Sequence, residues 1–301
     1  LTDPIYQFRR EIDPVDFDLA RCVVSGQVFR WESPAPGHWR GADGATWWDA
    51  HEVLGGWSVV SNQPSSTWDR FFRGDVSGAE FRARVTLAGP EVGPLFAMLP
   101  GHRLLRPACA REVLFSFVCT ANNHLPRIRR MVRHLAEFGI PMTRPDGTVA
   151  RAFPTLDKLV LVSESQLRAA GFGYRAAYVT QLVQELVARG GETWLDDLRN
   201  RPTPELRRTL RTLPGVGPKV ADCVALFGFD RTEVVPVDTH VWQIAVRHYF
   251  PDWAAETLTA RRYEQIAEFF IERFGPDAGW AHQVLFCDNL IHGRSRRIPK
   301  A

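Results

Sequence analysis

Lysine is scarce in this chain, and one lysine sits where an amine could do chemistry. Of 37 basic Lys and Arg residues only three are lysines: Lys158, Lys219 and Lys300. Arginine does not lose its proton and is no amine nucleophile, so a retained lysine points to work that arginine cannot do. Lys219 follows Leu213-Pro214-Gly215-Val216-Gly217-Pro218. Pro218 suits the first position of a helix, which puts Lys219 in its first turn. The dipole at a helix start disfavours a cation and favours the free amine, which can attack an electrophilic carbon and form a Schiff base. A surface lysine touching phosphate is the plainer reading, and the scarcity weakens it. Cys223 lies four residues on, along the same helix face. A lone cysteine there is more commonly a small buried apolar residue.

Asp238 comes 19 residues after Lys219, at the end of Val234-Val235-Pro236-Val237. By itself it reads as a helix N-cap. The intervening turn can fold its helix back on the Lys219 segment, and a carboxylate there could stabilise a developing cation or relay protons.

The spacing around Lys219 predicts two short helices joined by a glycine turn, residues 203–228. Thr203 can cap the first helix, with Pro204 at its first position. That helix stops at Leu213-Pro214, and the second ends at Gly228. Glycines let the backbone approach a ligand closely, and free N–H groups at a helix start attract an anion, so the unit suits a phosphate. An ordinary helical hairpin has the same outline. The spacing is not that of a Walker loop.

The rest of the chain must position these residues. Six of ten tryptophans (Trp31, Trp39, Trp47, Trp48, Trp57, Trp68) fall in the first hundred residues, in short runs broken by turn clusters at 34–37 and 41–44. That part reads as β-rich. From about Leu104 apolar residues recur at three and four, over 111–120, 125–138, 165–170, 176–189, 205–212, 219–227, 239–249 and 261–274, which predicts helices. A boundary is placed near residue 103, giving a β-rich unit 1–103 and a helical unit 104–301. The basic tail 292–300 is expected to fray. At 301 residues and 45% apolar composition there is ample material for a core. No apolar run is long enough to cross a membrane, and residues 1–11 lack a signal-peptide core. The five cysteines are far apart, without metal spacing, which suits a reduced intracellular compartment. Residues 104–301 hold 27 basic and 21 acidic side chains, a mild excess that permits a polyanion partner.

Leu213–Cys223 and Val235–Trp242 together resemble the helix–hairpin–helix DNA glycosylases, and within them the 8-oxoguanine DNA glycosylase/AP lyase family. Ser25-Gly26-Gln27-Val28-Phe29-Arg30-Trp31 is similar to that family's S-G-Q-x-F-R-W segment. Phe117–Asn123, Gly171–Ala176 and Gly279–Phe286 are similar to three more of its segments. The fold implied is α+β: an antiparallel β-rich N-terminal domain followed by an all-α helix–hairpin–helix glycosylase domain. The partner implied is double-stranded DNA containing an oxidised purine, met by a monomer, away from membranes, in the nucleoid or nucleus.

The resemblance implies a mechanism. A damaged base is flipped from the duplex into a pocket. Lys219 takes the position of the nucleophile that attacks the sugar C1′, and Asp238 that of the catalytic carboxylate; the Schiff base can lead to β-elimination. Gly26 takes the place of the glycine whose carbonyl accepts N7–H of 8-oxoguanine. Phe286 and Cys223 take the places of the groups on the two faces of the base. Asn122, Arg127, Tyr174 and Arg175 take positions beside the cytosine opposite the lesion. Gly215, Gly217 and His240 take phosphate contacts. The family's hairpin holds a structural metal ion on backbone carbonyls, here Arg211, Leu213 and Val216. No cofactor is required for the chemistry. The four-cysteine cluster of related branches is absent, so no iron–sulfur cluster is expected.

Three positions depart from the family pattern. His282 replaces a glutamine that reads the base, a role His282 or Gln283 could take. His124 replaces a third asparagine. Asn289 replaces an aspartate, altering the partner of His240. Two other readings stay open: a monofunctional alkylpurine glycosylase using Asp238 and water, and a non-catalytic DNA-binding module. Lys219 argues against the first, and the pairing of Lys219 with Asp238 against the second.

Overall fold

The computed structural model describes residues 4–11, 13 and 15–292, with side chains through residue 289; the basic tail beyond lies outside the described residues. Five strands form one antiparallel sheet: β1 (Tyr6–Glu11), β2 (Glu32–Ala35), β3 (His38–Asp43), β4 (Thr46–Val53) and β5 (Gly56–Ser61), in the order β1-β5-β4-β3-β2. Side chains alternate between its faces. One face carries Trp48, Ala50 and Val59 into a core with Trp31, Trp68, Phe71 and Phe72. Trp31 stacks on Trp48, ring centroids 5.6 Å apart. The other face packs Ala42 and Trp47 on Met142 and Ala150. Those two belong to a small hairpin, β6 (Pro141–Thr143) and β7 (Val149–Arg151), inside the helical part.

The first hundred residues also hold helices at Leu19–Val24, Ser65–Phe71, Gly78–Ala88 and Gly93–Met98, which the tryptophan-rich pattern did not announce. Phe29, Phe81, Val85, Val92 and Leu99 join the main helical core, and Phe81 stacks on Trp280 at 3.8 Å. A buried polar joint ties the sheet to the helices. Arg30 pairs with Glu112 at 2.5 Å and donates to the Arg151 carbonyl, and the Gly44 N–H donates to Glu112.

The helices that frame the site are Ala110–Val118, Leu125–Ala136, Arg175–Ala188, Thr239–His248, Ala260–Phe274 and Ala278–His292. The hairpin consists of Thr203–Leu210 and Pro218–Cys223, the latter continuing as a π-helical turn over Val224–Gly228. Thr203 does not cap the first helix. It is the first helical residue, Pro202 stands at the N-cap, and the Thr203 hydroxyl donates to Glu233 at 2.6 Å.

Candidate active site

The hairpin is locked to its neighbours by a carboxylate that the sequence did not single out. Asp222 is fully buried one turn from Lys219, and Arg207 of the first hairpin helix clamps it with bonds of 2.6 and 2.9 Å. Tyr263 donates its hydroxyl proton to Asp222 at 2.6 Å, and the same oxygen accepts the Val237 N–H at 3.3 Å. This chain of bonds ties the Lys219 helix to the residue before Asp238. Burial and the Asp222 carboxylate both push the Tyr263 phenol well above its ordinary range, so it stays a donor.

Lys219 and Asp238 open onto one cavity of about 920 Å³, lined also by Gly26, Thr120, Asn122 and Phe286. Lys219 Nζ lies 3.4 Å from Thr120 Oγ1 and 5.4 Å from the centre of the Phe117 ring. Asp238 caps the Thr239–His248 helix: one carboxylate oxygen accepts the N–H groups of His240 at 2.8 Å and Val241 at 3.0 Å. Its other oxygen is not used by that cap, so capping and a role in the pocket are compatible.

Gly26 has φ +84°, a conformation that favours glycine, and faces the cavity beside Phe286 and Leu125. The turn around it is clamped. Gln27 is buried, donating to Ser25 Oγ and the Arg103 carbonyl and accepting the Leu105 N–H. Gln283 donates to the Ser25 carbonyl at 3.3 Å. Gln283 is therefore a prop beneath the turn, outside the cavity lining, and the expectation that it could read the base is corrected.

Cys223 and His282 are buried behind the cavity and do not line it. Burial pushes the Cys223 thiol up to about 12, which makes it a neutral packing group. Burial likewise lowers His282 to about 4, with Lys219 adding to the shift and Asp238 opposing it. The imidazole is neutral at working pH and hydrogen-bonds to the backbone of Gly279 and Pro236. His282 lies nearly parallel to Phe286, ring centroids 6.2 Å apart.

His240 meets Phe286 edge to face at 5.5 Å. Its Nδ1 lies 3.0 Å from the Asn289 amide nitrogen, so Asn289 is indeed the residue in the partner's place. An amide donor there makes Nδ1 an acceptor and leaves Nε2–H to donate elsewhere.

Asn122 is exposed at φ +46°, on a loop held from below. Arg175 is 2% exposed; its Nε donates to the Ala121 carbonyl at 3.0 Å and Nη2 to that of Asn122 at 2.8 Å. Tyr174 donates to the same Ala121 carbonyl at 2.9 Å, and Arg127 to that of Gly171 at 2.8 Å. These four residues share one neighbourhood, and of them only Asn122 lines the cavity. His124, also on the lining, stands at the N-cap of the Leu125–Ala136 helix without a side-chain cap bond.

At the hairpin turn Gly215 has φ +74°, and a Cβ there would lie 2.9 Å from Tyr178. Gly217 faces open space. The Leu213 carbonyl accepts the Val216 N–H at 3.1 Å, while those of Arg211 and Val216 take no backbone bond among the described residues. Free carbonyl oxygens at one turn are hard donors of the kind a small cation prefers. Thr120 and Gln27 were missed as site residues. Both lie in segments that carried the family resemblance, and only their depth and partners set them apart.

A two-helix hairpin with a glycine turn, a lysine at its second helix and an aspartate at the next helix cap define a DNA glycosylase architecture. The chain belongs to the HhH-GPD superfamily of base excision DNA repair proteins, whose family model matches residues 115–269. It is 39% identical over 293 residues to the N-glycosylase/DNA lyase OGG1 of Arabidopsis thaliana, spanning 94% of this chain and 80% of that protein. It is 35% identical to the N-glycosylase/DNA lyase of Saccharomyces cerevisiae, over 60% of this chain and 54% of that one. Among solved structures it is similar to the Clostridium acetobutylicum 8-oxoguanine glycosylase/lyase in complex with double-stranded DNA containing cytosine opposite 8-oxoguanine. The TM-score is 0.83 at 26% identity, covering 97% of this chain and 99% of that one.

Proposed function

We propose that the protein excises 8-oxoguanine from duplex DNA and then cleaves the strand as an AP lyase. The observation that carries this reading is the convergence of Lys219, Asp238, Gly26 and Phe286 on one cavity beside the hairpin. The damaged nucleotide is flipped into that cavity, at an unstacking cost of a few kcal/mol. The Lys219 amine, after giving up its proton, attacks C1′ as the bond from C1′ to the base breaks. The base leaves with the bonding electrons and takes up a proton. The new C–N bond matures into a Schiff base as the sugar ring opens and the amine gives up its protons. Removal of a C2′ proton then expels the 3′ phosphate by β-elimination. Asp238 stabilises the positive charge that develops on the sugar.

Phe286 stacks on the flipped base, Gly26 supplies the carbonyl for N7–H, and Cys223 packs behind. Guanine has a lone pair at N7, so the same carbonyl repels it. His282, a neutral imidazole buried behind Phe286, is assigned the base edge in this reading, which requires it to turn into the cavity when the base enters. The N–H groups around Gly215 and Gly217, with His240, take phosphates. Asn122, Arg127, Tyr174 and Arg175 act on the strand opposite. In the same reading the carbonyls of Arg211, Leu213 and Val216 hold a structural cation, which adds positive charge beside a phosphate and takes no part in bond breaking.

The test is a single-turnover excision panel on duplexes carrying 8-oxoguanine, formamidopyrimidine, 3-methyladenine or uracil. Fastest release of the oxidised purines is expected. Preferred release of 3-methyladenine without strand cleavage would replace this reading with the monofunctional one.

A further inference from the structure

On the face of the N-terminal sheet that also carries Ala42 and Trp47, three side chains of metal-ligating type converge. The β3–β4 register pairs His38 with His51 and Arg40 with Asp49. The strand period of two puts all four on one face. His38 Nε2 lies 2.6 Å from Asp49 Oδ1, and His51 Nε2 lies 3.1 Å from the same oxygen. The two imidazoles stack with centroids 4.0 Å apart. All three ligand atoms fall within 4.8 Å of one another. The second carboxylate oxygen accepts Arg40 Nε at 2.8 Å, and Arg40 pairs in turn with Asp146. The arginine fixes the carboxylate and leaves Oδ1 to the histidines. None of these residues lines the catalytic cavity.

We propose that His38, Asp49 and His51 bind one divalent transition-metal ion of the zinc class, which clips β3 to β4. Two imidazole nitrogens and one carboxylate oxygen suit zinc, with water completing the shell. Bonds of about 2.0–2.2 Å in a tetrahedron set ligand atoms roughly 3.3 Å apart. The rings now stack with 22° between their planes, so one ring must turn to bring both Nε2 lone pairs onto one ion, and the His51 side chain, 56% exposed, has the room to turn. The metal displaces any proton on the two Nε2 atoms to solvent, and Arg40 remains as the outer partner that orients the carboxylate. The competing account is a hydrogen-bonded histidine–aspartate pair that holds no ion.

The experiment titrates metal-stripped full-length protein with Zn²⁺ in competition with a chromophoric zinc chelator, read by absorbance. One equivalent per chain is expected to bind the wild type. His51→Ala and His38→Ala are each expected to weaken binding by at least about tenfold, while the control His134→Ala does not. Zn²⁺ raises the melting temperature of the wild type and not of His51→Ala, whose metal-free melt and excision rate match the wild type. Equal competition by wild type and His51→Ala, or no stoichiometric binding by the wild type, would overturn the proposal.

Discussion

The Lys219 amine lies 3.4 Å from the Thr120 hydroxyl, and that hydroxyl already donates its own proton to the Phe117 carbonyl at 2.7 Å. Thr120 can therefore only accept from Lys219. The contact orients the amine without engaging the lone pair that must attack C1′. Thr120→Val keeps the branched shape and removes the acceptor. A lost hydrogen bond of this kind is worth about 0.5–1.5 kcal/mol. Single-turnover excision is expected to slow by about three- to tenfold, with the melting temperature little changed. An unaltered rate would show that the contact does not position the amine.

Asp238 both caps a helix and faces the cavity, and substitution separates the two tasks. Asn can accept the same two N–H groups through its amide oxygen, whereas Ala cannot and costs about 1 kcal/mol of stability. Asp238→Asn is expected to melt like the wild type and to lose most of its excision rate. A fully active Asp238→Asn enzyme would leave the residue a cap only.

His282 makes stability depend on pH. Burial holds it near pH 4, below the ordinary 6.5, against the opposing pull of Asp238. A depressed histidine contributes stability that is present above about pH 6.5 and lost as pH falls towards 4. At about 1.36 kcal/mol per pH unit, roughly 2 kcal/mol goes between pH 6.5 and 5. His282→Gln removes that loss. Urea unfolding of both proteins at pH 7 and pH 5 should show wild type falling further by this amount. Parallel falls would contradict the burial of a neutral imidazole here.

Arg175 supports the loop that carries Asn122, so opposite-base choice should depend on it. A buried donor left unpaired opposite adenine costs about 1–3 kcal/mol, which corresponds to a preference for cytosine of roughly five- to 150-fold. Arg175→Ala is expected to shrink the ratio of single-turnover rates, mainly by slowing the cytosine duplex. Equal rates opposite all four bases in the wild type would remove this role for the loop.

Much of this site was legible because its chemistry depends on local pattern. Pro218 at a helix start, the glycine turn and the extended run before Asp238 mark backbone conformations that few residues permit. The eight predicted helices appear with ends shifted by a few residues, since their faces repeat at helical spacing. What the sequence concealed is long-range. Asp222, Tyr263 and Val237 meet across 41 and 26 residues, and no local rule selects a buried carboxylate's partners. The β6–β7 hairpin has three-residue strands, too short for a period. The helix Gly78–Ala88 has no strong apolar stripe, because only Phe81 and Val85 turn large apolar side chains fully inward, beside the buried Gly78. Gln283 looked like a spare reader beside His282, and only the fold shows it turned to Ser25.

The most direct measurement is borohydride trapping on a duplex with 8-oxoguanine opposite cytosine, followed by peptide mass spectrometry. The account predicts a covalent adduct on the peptide that contains Lys219. It also predicts that Lys219→Gln gives no adduct and releases no base, while still binding the same duplex. An adduct formed by Lys219→Gln, or mapped to another amine in the wild type, would contradict it.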